Sequence, residues 1–298
     1  MLKLVEGRLD AALLDAAGRS ALHRVTHHIP SRLSGFWGLE LRLGDPAPRA
    51  DLLWQIRRKE AGILTLAAPS PEEPATGEIA TALRERSLFW QEFGRFAKQW
   101  LASADWSQRL SHIWMEVDTA SVDGSSVSDL ETLLDRPNLF WGPTKSTPGT
   151  DRDLLSHLTA LGHRFYGLEV DGTRLASIAH ALPGKGSIFQ MGVMGARATP
   201  VARLCVSNLD EEMKVSWLTE IGWPGDRASL RHTFKWLKTL GARIELNVDV
   251  LPDGIGPRLG LEIYCLPRTL SMEIWEPLYD RLRAGGLARV SMIIKKRG

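Results

Sequence analysis

The apolar positions of the chain change their spacing near residue 105. Before it they recur every three or four residues, which predicts helices over Arg8–Leu22, Ala50–Arg58 and Glu78–Leu101, separated by proline-rich joins around Asp45-Pro46-Ala47-Pro48 and Pro69–Pro74. In the third helix Phe89, Phe93, Phe96 and Trp100 fall on one face, which must pack against the C-terminal part of the chain.

After residue 105 the pattern becomes strand, strand, helix, repeated. His112–Asp118 pairs with Asn138–Trp141 and leads to a helix at Asp151–Leu161. Ile188–Met194 pairs with Val201–Ser207 and leads to Glu211–Ile221, with Asp210 or Asn208 as its cap and Gly222 as its stop. Helix Ala228–Leu240 precedes the hairpin Arg243–Leu251 and Arg258–Cys265. A helix at Glu276–Ala284 and a strand at Arg289–Ile294 close the series. The expected organisation is a mainly helical region, 1–105, packed on a repeat region, 106–298, in one compact α+β unit. A strand around Gly38–Leu43 is a candidate to close the sheet.

Alternation orients each strand. Ile113, Met115 and Val117 share one face of the first strand, and His112, Trp114, Glu116 and Asp118 the other. The hairpin separates Ile244, Leu246, Val248 and Val250 from Arg243, Glu245, Asn247 and Asp249, then Leu259, Leu261 and Ile263 from Arg258, Gly260, Glu262 and Tyr264. Val201–Ser207 turns Arg203, Cys205 and Ser207 to its polar side. Two architectures satisfy this pattern: an open sheet with one face in water, or a barrel whose polar faces line its interior. These faces carry neither Lys nor Thr, the usual residues of a solvated sheet, which favours a lined cavity.

Composition narrows the function classes. The 298 residues carry a net charge of +2, too small to argue for nucleic acid or an anionic membrane as partner. No apolar run is long enough to span a bilayer, the first 25 residues lack the apolar core of a signal peptide, and two cysteines make no disulfide framework; a cytoplasmic location is expected. Gly184-Lys185-Gly186 lacks the spacing of a phosphate loop, and Gly254-Ile255-Gly256 does not open a helix. No His/Cys cluster at ligand spacing predicts a bound metal. The 11 tryptophans against 3 tyrosines and 8 phenylalanines are unusual. Most fall on predicted helices, where packing suffices to explain them; Trp114 alone joins a charged strand face.

The order of strand pairs and helices over residues 106–298 resembles the ABBA-type prenyltransferase barrel. That resemblance implies a barrel of about ten antiparallel strands, complete or incomplete, surrounded by helices. It implies transfer of an isoprenyl group from an allylic diphosphate to a peptide or small aromatic acceptor. Arg203 and Arg258 would hold the diphosphate, Tyr264 would add a hydroxyl donor, Trp114 would shield the allyl cation, and Glu116 would be the general base or would orient the acceptor. Separately, the stretches GVMGARATPVARLCV, LTEIGWPGD and DVLPDGIGPRLGLEIY look like an uncharacterised bacterial family associated with peptide natural-product gene clusters.

Charge pulls the other way. The polar faces bring Glu116, Asp118, Glu245, Asp249 and Glu262 against Arg203, Arg243 and Arg258. An acidic lumen suits a cationic peptide better than a diphosphate, unless Mg2+ intervenes; otherwise no cofactor is required. The alternative is therefore a non-catalytic or accessory peptide-binding protein that uses Glu245 and Glu262 in recognition. A third arrangement needs no ligand: Arg243, Glu245, Arg258 and Glu262 as cross-strand ion pairs.

Overall fold

A computed structural model of the chain describes residues 14–29, 33–41, 50–67, 87–119, 134–144, 152–241, 243–264 and 272–284. Eight strands form one antiparallel sheet in which every strand pairs with its neighbours in sequence. They are β1 (Phe36–Leu41), β2 (Ala50–Arg57), β3 (Leu110–Val117), β4 (Asn138–Pro143), β5 (Ser187–Met194), β6 (Val201–Ser207), β7 (Arg243–Val250) and β8 (Ile255–Tyr264). The sheet curls into a half-barrel, because a single cleft is lined by side chains from all eight strands. No pairing joins β1 to β8 among the described residues, and the two further strands of a ten-stranded barrel are not among them. The strand expected at Arg289–Ile294 and Cys265 lie outside the described residues.

Nine helices are described: α1 (Ala16–His28), α2 (Ala61–Ala67), α3 (Leu88–Ala102), α4 (Ala104–Arg109), α5 (Arg152–Tyr166), α6 (Gly172–His180), α7 (Glu211–Glu220), α8 (Arg227–Thr239) and α9 (Met272–Ala284). Local chemistry sets their ends. Asp210 caps α7 by accepting from the Met213 N–H at 2.8 Å, while Asn208 instead takes a left-handed φ of 62° and donates to the Ser187 hydroxyl. Gly222, at φ 77°, stops α7 as the sequence predicts. None of the described helices is long and apolar enough to cross a membrane.

The convex side of the sheet is the core. Leu52, Trp54 and Ile56 of β2, Ile113 and Met115 of β3, and Trp141 of β4 are fully buried there. The aromatic stripe of α3 is buried as expected: Phe89 and Phe96 pack on Phe165 of α5, and Phe165 stacks on Trp141 of the sheet. Three buried indoles find carbonyl partners, Trp90 on Leu134, Trp100 on Leu110 and Trp217 on Ile178. Burying each of these rings contributes about 2–3 kcal/mol by area alone.

One expectation fails in this region. Residues 50–57 form β2, not a helix. Leu52, Trp54 and Ile56 alternate toward the core, while Asp51, Leu53 and Gln55 face the concave side; Leu53, the apolar residue out of phase, gives the segment its false helical spacing.

The concave face is shaped by glycines. Gly142 of β4 lies directly across from His112 of β3, and a side chain there would meet the imidazole at 2.2 Å. Gly192 of β5 lies across from Phe140 of β4, whose ring occupies the place of the missing side chain at 2.5 Å. Gly38 opposite Leu53 and Gly260 opposite Asn247 repeat the arrangement. A large side chain leaning over a glycine on the next strand relieves crowding on the inner side of a curved sheet.

Candidate functional site

The concave cleft encloses about 730 Å3 and opens to solvent. Strand register places its chemistry in rows. One row runs Gln55, Trp114, Phe140, Gly192, Arg203 and Asp249, from β2 to β7. It passes from aromatic rings to an ion pair. In the neighbouring row Leu53, Glu116 and Asn138 stand side by side.

The β1–β3 side is acidic. Glu40 and Asp51 are directly opposite one another on adjacent strands, an arrangement that repels unless a proton or cation intervenes. Asp51 is buried and accepts from the Thr119 N–H at 2.9 Å. Glu116 and Asp118 line the same part of the cleft. Burial first, then the charges of Glu40 and Asp51, push the Glu116 carboxyl up to about 7. It is held by Asn138, whose Nδ2 donates to Oε1 at 3.1 Å while its own Oδ1 accepts from the Ala196 N–H at 3.1 Å. The second bond fixes the orientation of the amide. Oε1 must therefore accept, and the titrating proton of Glu116 sits on Oε2.

The β6–β8 side carries Arg197, Arg203 and Arg258, with Asp249 bound to the first two and Glu262 on the same wall. Asp249, directly opposite Arg203, accepts from Arg203 Nε through one oxygen and from Arg197 Nη1 through the other, both at 2.8 Å. Burial alone would raise the Asp249 carboxyl, but the two guanidinium groups pull it below the ordinary range. Arg203 keeps its charge against burial because Asp249 more than offsets the desolvation. Arg258 lines the same wall, is exposed, and has no ion-pair partner among the described residues.

The predicted residues thus divide. Trp114, Glu116, Arg203, Arg258, Glu262 and Tyr264 all line the cleft; Glu245 does not. Glu245 is buried on the concave side at the far end of β7, paired with Arg243 Nε at 3.2 Å and close to the buried Lys214 of α7. Glu262 is directly opposite Glu245, and it is held by Asn247 Nδ2 at 3.0 Å and by the Tyr264 hydroxyl. Arg243 lies over the Tyr264 ring at 4.5 Å. Among the described residues none of the cross-strand ion pairs considered for Arg243, Glu245, Arg258 and Glu262 forms; the pair present, Arg243–Glu245, runs along one strand. Tyr264 donates to Glu262, and burial followed by that bond raises its hydroxyl far above the ordinary value. Trp114 packs edge-on against Phe36 at 5.2 Å and keeps part of its face in the cleft.

The sequence reading assigned no site role to Glu40, Asp51, Asn138, Phe140 or Arg197, all of which line the cleft. Asp51 was hidden by the helical reading of β2, and Arg197 lies in a turn where no alternation orients it. Cys205 lies on the concave face but is fully buried, and its thiol is raised by burial and by Glu262, so it is no nucleophile. No group of three or more metal-ligating side chains converges among the described residues. The three sequence stretches likened to a bacterial family meet in space: Arg197 and Arg203 bind Asp249, and Trp223 Nε1 donates to the Pro257 carbonyl at 3.3 Å.

Set against known proteins, the chain matches no family model, no curated sequence and no solved structure.

Proposed function

We propose that the concave cleft is the binding site for a cationic group of peptide size, with Glu116 as the carboxyl placed to take a proton from it. The observation that carries this reading is the crowding of Glu40, Asp51, Glu116 and Asp118 on one wall while the facing arginines share Asp249. An amine or guanidinium group entering there exchanges its hydration for carboxylate oxygens of Glu40 and Glu116. A carboxylate near 7 suits proton transfer at neutral pH, because it is ionised often enough to act and basic enough to hold the proton. The test is calorimetry with a short end-blocked peptide containing lysine or arginine. Binding that weakens as salt rises and weakens in Glu116→Gln supports the reading; no binding to any cationic peptide defeats it.

A second reading, prenyl transfer, is favoured by one observation: Trp114 and Phe140 stand in the same cleft as Arg203 and Arg258. The acceptor atom would form its bond to the allylic carbon as the carbon–oxygen bond to diphosphate breaks. The leaving group would take the electron pair toward Arg258, and Glu116 would take the acceptor's proton. Arg203 is already engaged by Asp249, so Arg258 carries more of this role than the sequence alone suggests. Mg2+ would offset the acidic wall. An isoprenyl diphosphate that raises the melting temperature, with the shift lost in Arg258→Ala, supports this reading. No shift at any chain length, with or without Mg2+, contradicts it.

A further inference from the structure

The two walls of the cleft differ in sign, and the difference selects a class of ligand. On the β6–β8 side Arg197 and Arg203 each give one N–H to Asp249 and line the cleft with Arg258, which has no ion-pair partner among the described residues. Arg197, Arg203 and Arg258 against Asp249 and Glu262 leave this side positive by a single charge, with forked donors that suit a planar anion. Asp249 fixes the two inner guanidinium groups in place, so little side-chain freedom is lost when an anion binds. Opposite them, Glu40 and Glu116 line the cleft together with Asp51 and Asp118. From Trp114 to Arg203 the row crosses three strand steps, about 14 Å along the sheet and less across its concave side. Glu116 is close enough to add a little to the stabilisation of the Arg203 charge.

We propose that the cleft recognises the C-terminal end of a peptide whose terminal residue is basic, the free carboxylate against Arg197, Arg203 and Arg258 and the cationic side chain beside Glu40 and Glu116. The proposal rests on the cationic reading above and adds the carboxylate to it. A volume of about 730 Å3, open at the mouth, exceeds what one amino acid fills, which points to the end of a chain and not to a free amino acid. Phe140 lies between the two walls and Trp114 beside Glu116 on the acidic side, where the apolar stem of a lysine or arginine side chain would rest.

The experiment is calorimetric titration of the full chain with Ala-Ala-Ala-Arg bearing a free C-terminus, with the same peptide amidated, and with free arginine. The free-acid peptide is expected to bind at least tenfold more tightly than the amide, and more tightly than arginine. In Arg258→Ala, an exposed position whose loss leaves the fold intact, the free-acid advantage shrinks while the amide binds as before. Arg197→Gln reports on the same wall independently. Equal binding of acid and amide overturns the carboxylate assignment but leaves the cationic reading standing. An advantage that survives in both arginine variants overturns the assignment to this wall. Arginine binding as tightly as the peptide overturns the peptide-end assignment, and no binding by any of the three overturns the cationic reading as well.

Discussion

The two faces of one sheet obey different physics. On the convex face Trp54, Met115, Trp141, Leu204 and Val248 are fully buried under helices, and their contribution is area removed from water. On the concave face the same strands present Gln55, Glu116, Asn138, Arg203 and Asn247, and their contribution depends on which partner each finds. Adjacent residues of a single strand, Met115 and Glu116, belong to different regimes. The convex face is therefore fitted for stability, while the concave face sets Glu40 opposite Asp51 and Glu245 opposite Glu262, pairs whose cost depends on the groups that compensate each carboxylate.

The largest expected effect tests that division directly. Trp54→Ala empties a fully buried site and should cost about 3–5 kcal/mol in urea unfolding. Trp114→Ala, on the next strand but on the other face and partly open, should cost about 1 kcal/mol while weakening peptide binding. Equal costs would erase the distinction between the faces.

Asp249→Asn comes next. It removes the carboxylate that both Arg197 and Arg203 share and should cost about 2–3 kcal/mol, less than a wholly buried pair because the arginines keep some contact with water. Because the folded state holds Asp249 below its ordinary value, this stabilisation is present above about pH 4 and fades as the pH falls through the acid range. A variant as stable as the parent at pH 7 would show that the arginine wall needs no anchor.

Glu116→Gln should act in the opposite direction. A carboxyl raised from 4.5 to about 7 is penalised when ionised, so its penalty is absent below about pH 4.5, grows between there and 7, and is complete above. At pH 8 the variant, which keeps an oxygen for Asn138, is expected to be more stable by about 1–3 kcal/mol, a rise of several degrees in melting temperature. At pH 4 the two proteins should melt together. The smallest effect belongs to Arg258→Ala, which should change stability by less than about 0.5 kcal/mol because the side chain is exposed.

Much of this was legible because alternation is a strong signal where one strand face is apolar and the other charged. It oriented Trp114, Glu116, Arg203, Arg258, Glu262 and Tyr264 correctly, and the aromatic spacing of Phe89, Phe93, Phe96 and Trp100 identified the packed face of α3. It failed where the concave face is itself apolar, as at Leu53, and so lost β2 together with Asp51. Helix α6 escaped because its buried side includes Ala176 and Ala179, which barely mark a periodicity. Alternation also says nothing about position along the barrel axis. Glu245 shares a face with Asn247 yet lies beyond the cleft, where Arg243 and Lys214 neutralise it. The pairing of Arg197 with Asp249 joins residues 52 positions apart, through a turn that carries no periodic signal.

The central claim is that Glu116 is a proton-accepting carboxyl in a cleft made for a cation. Its most direct test is the titration of Glu116 itself, followed by infrared difference spectroscopy between the parent and Glu116→Gln. A carboxyl band that disappears with a midpoint near pH 7, and moves to lower pH when a cationic peptide is bound, is the predicted result. A midpoint between about 4 and 5, the ordinary range of a glutamate, that the peptide leaves unchanged would contradict the account.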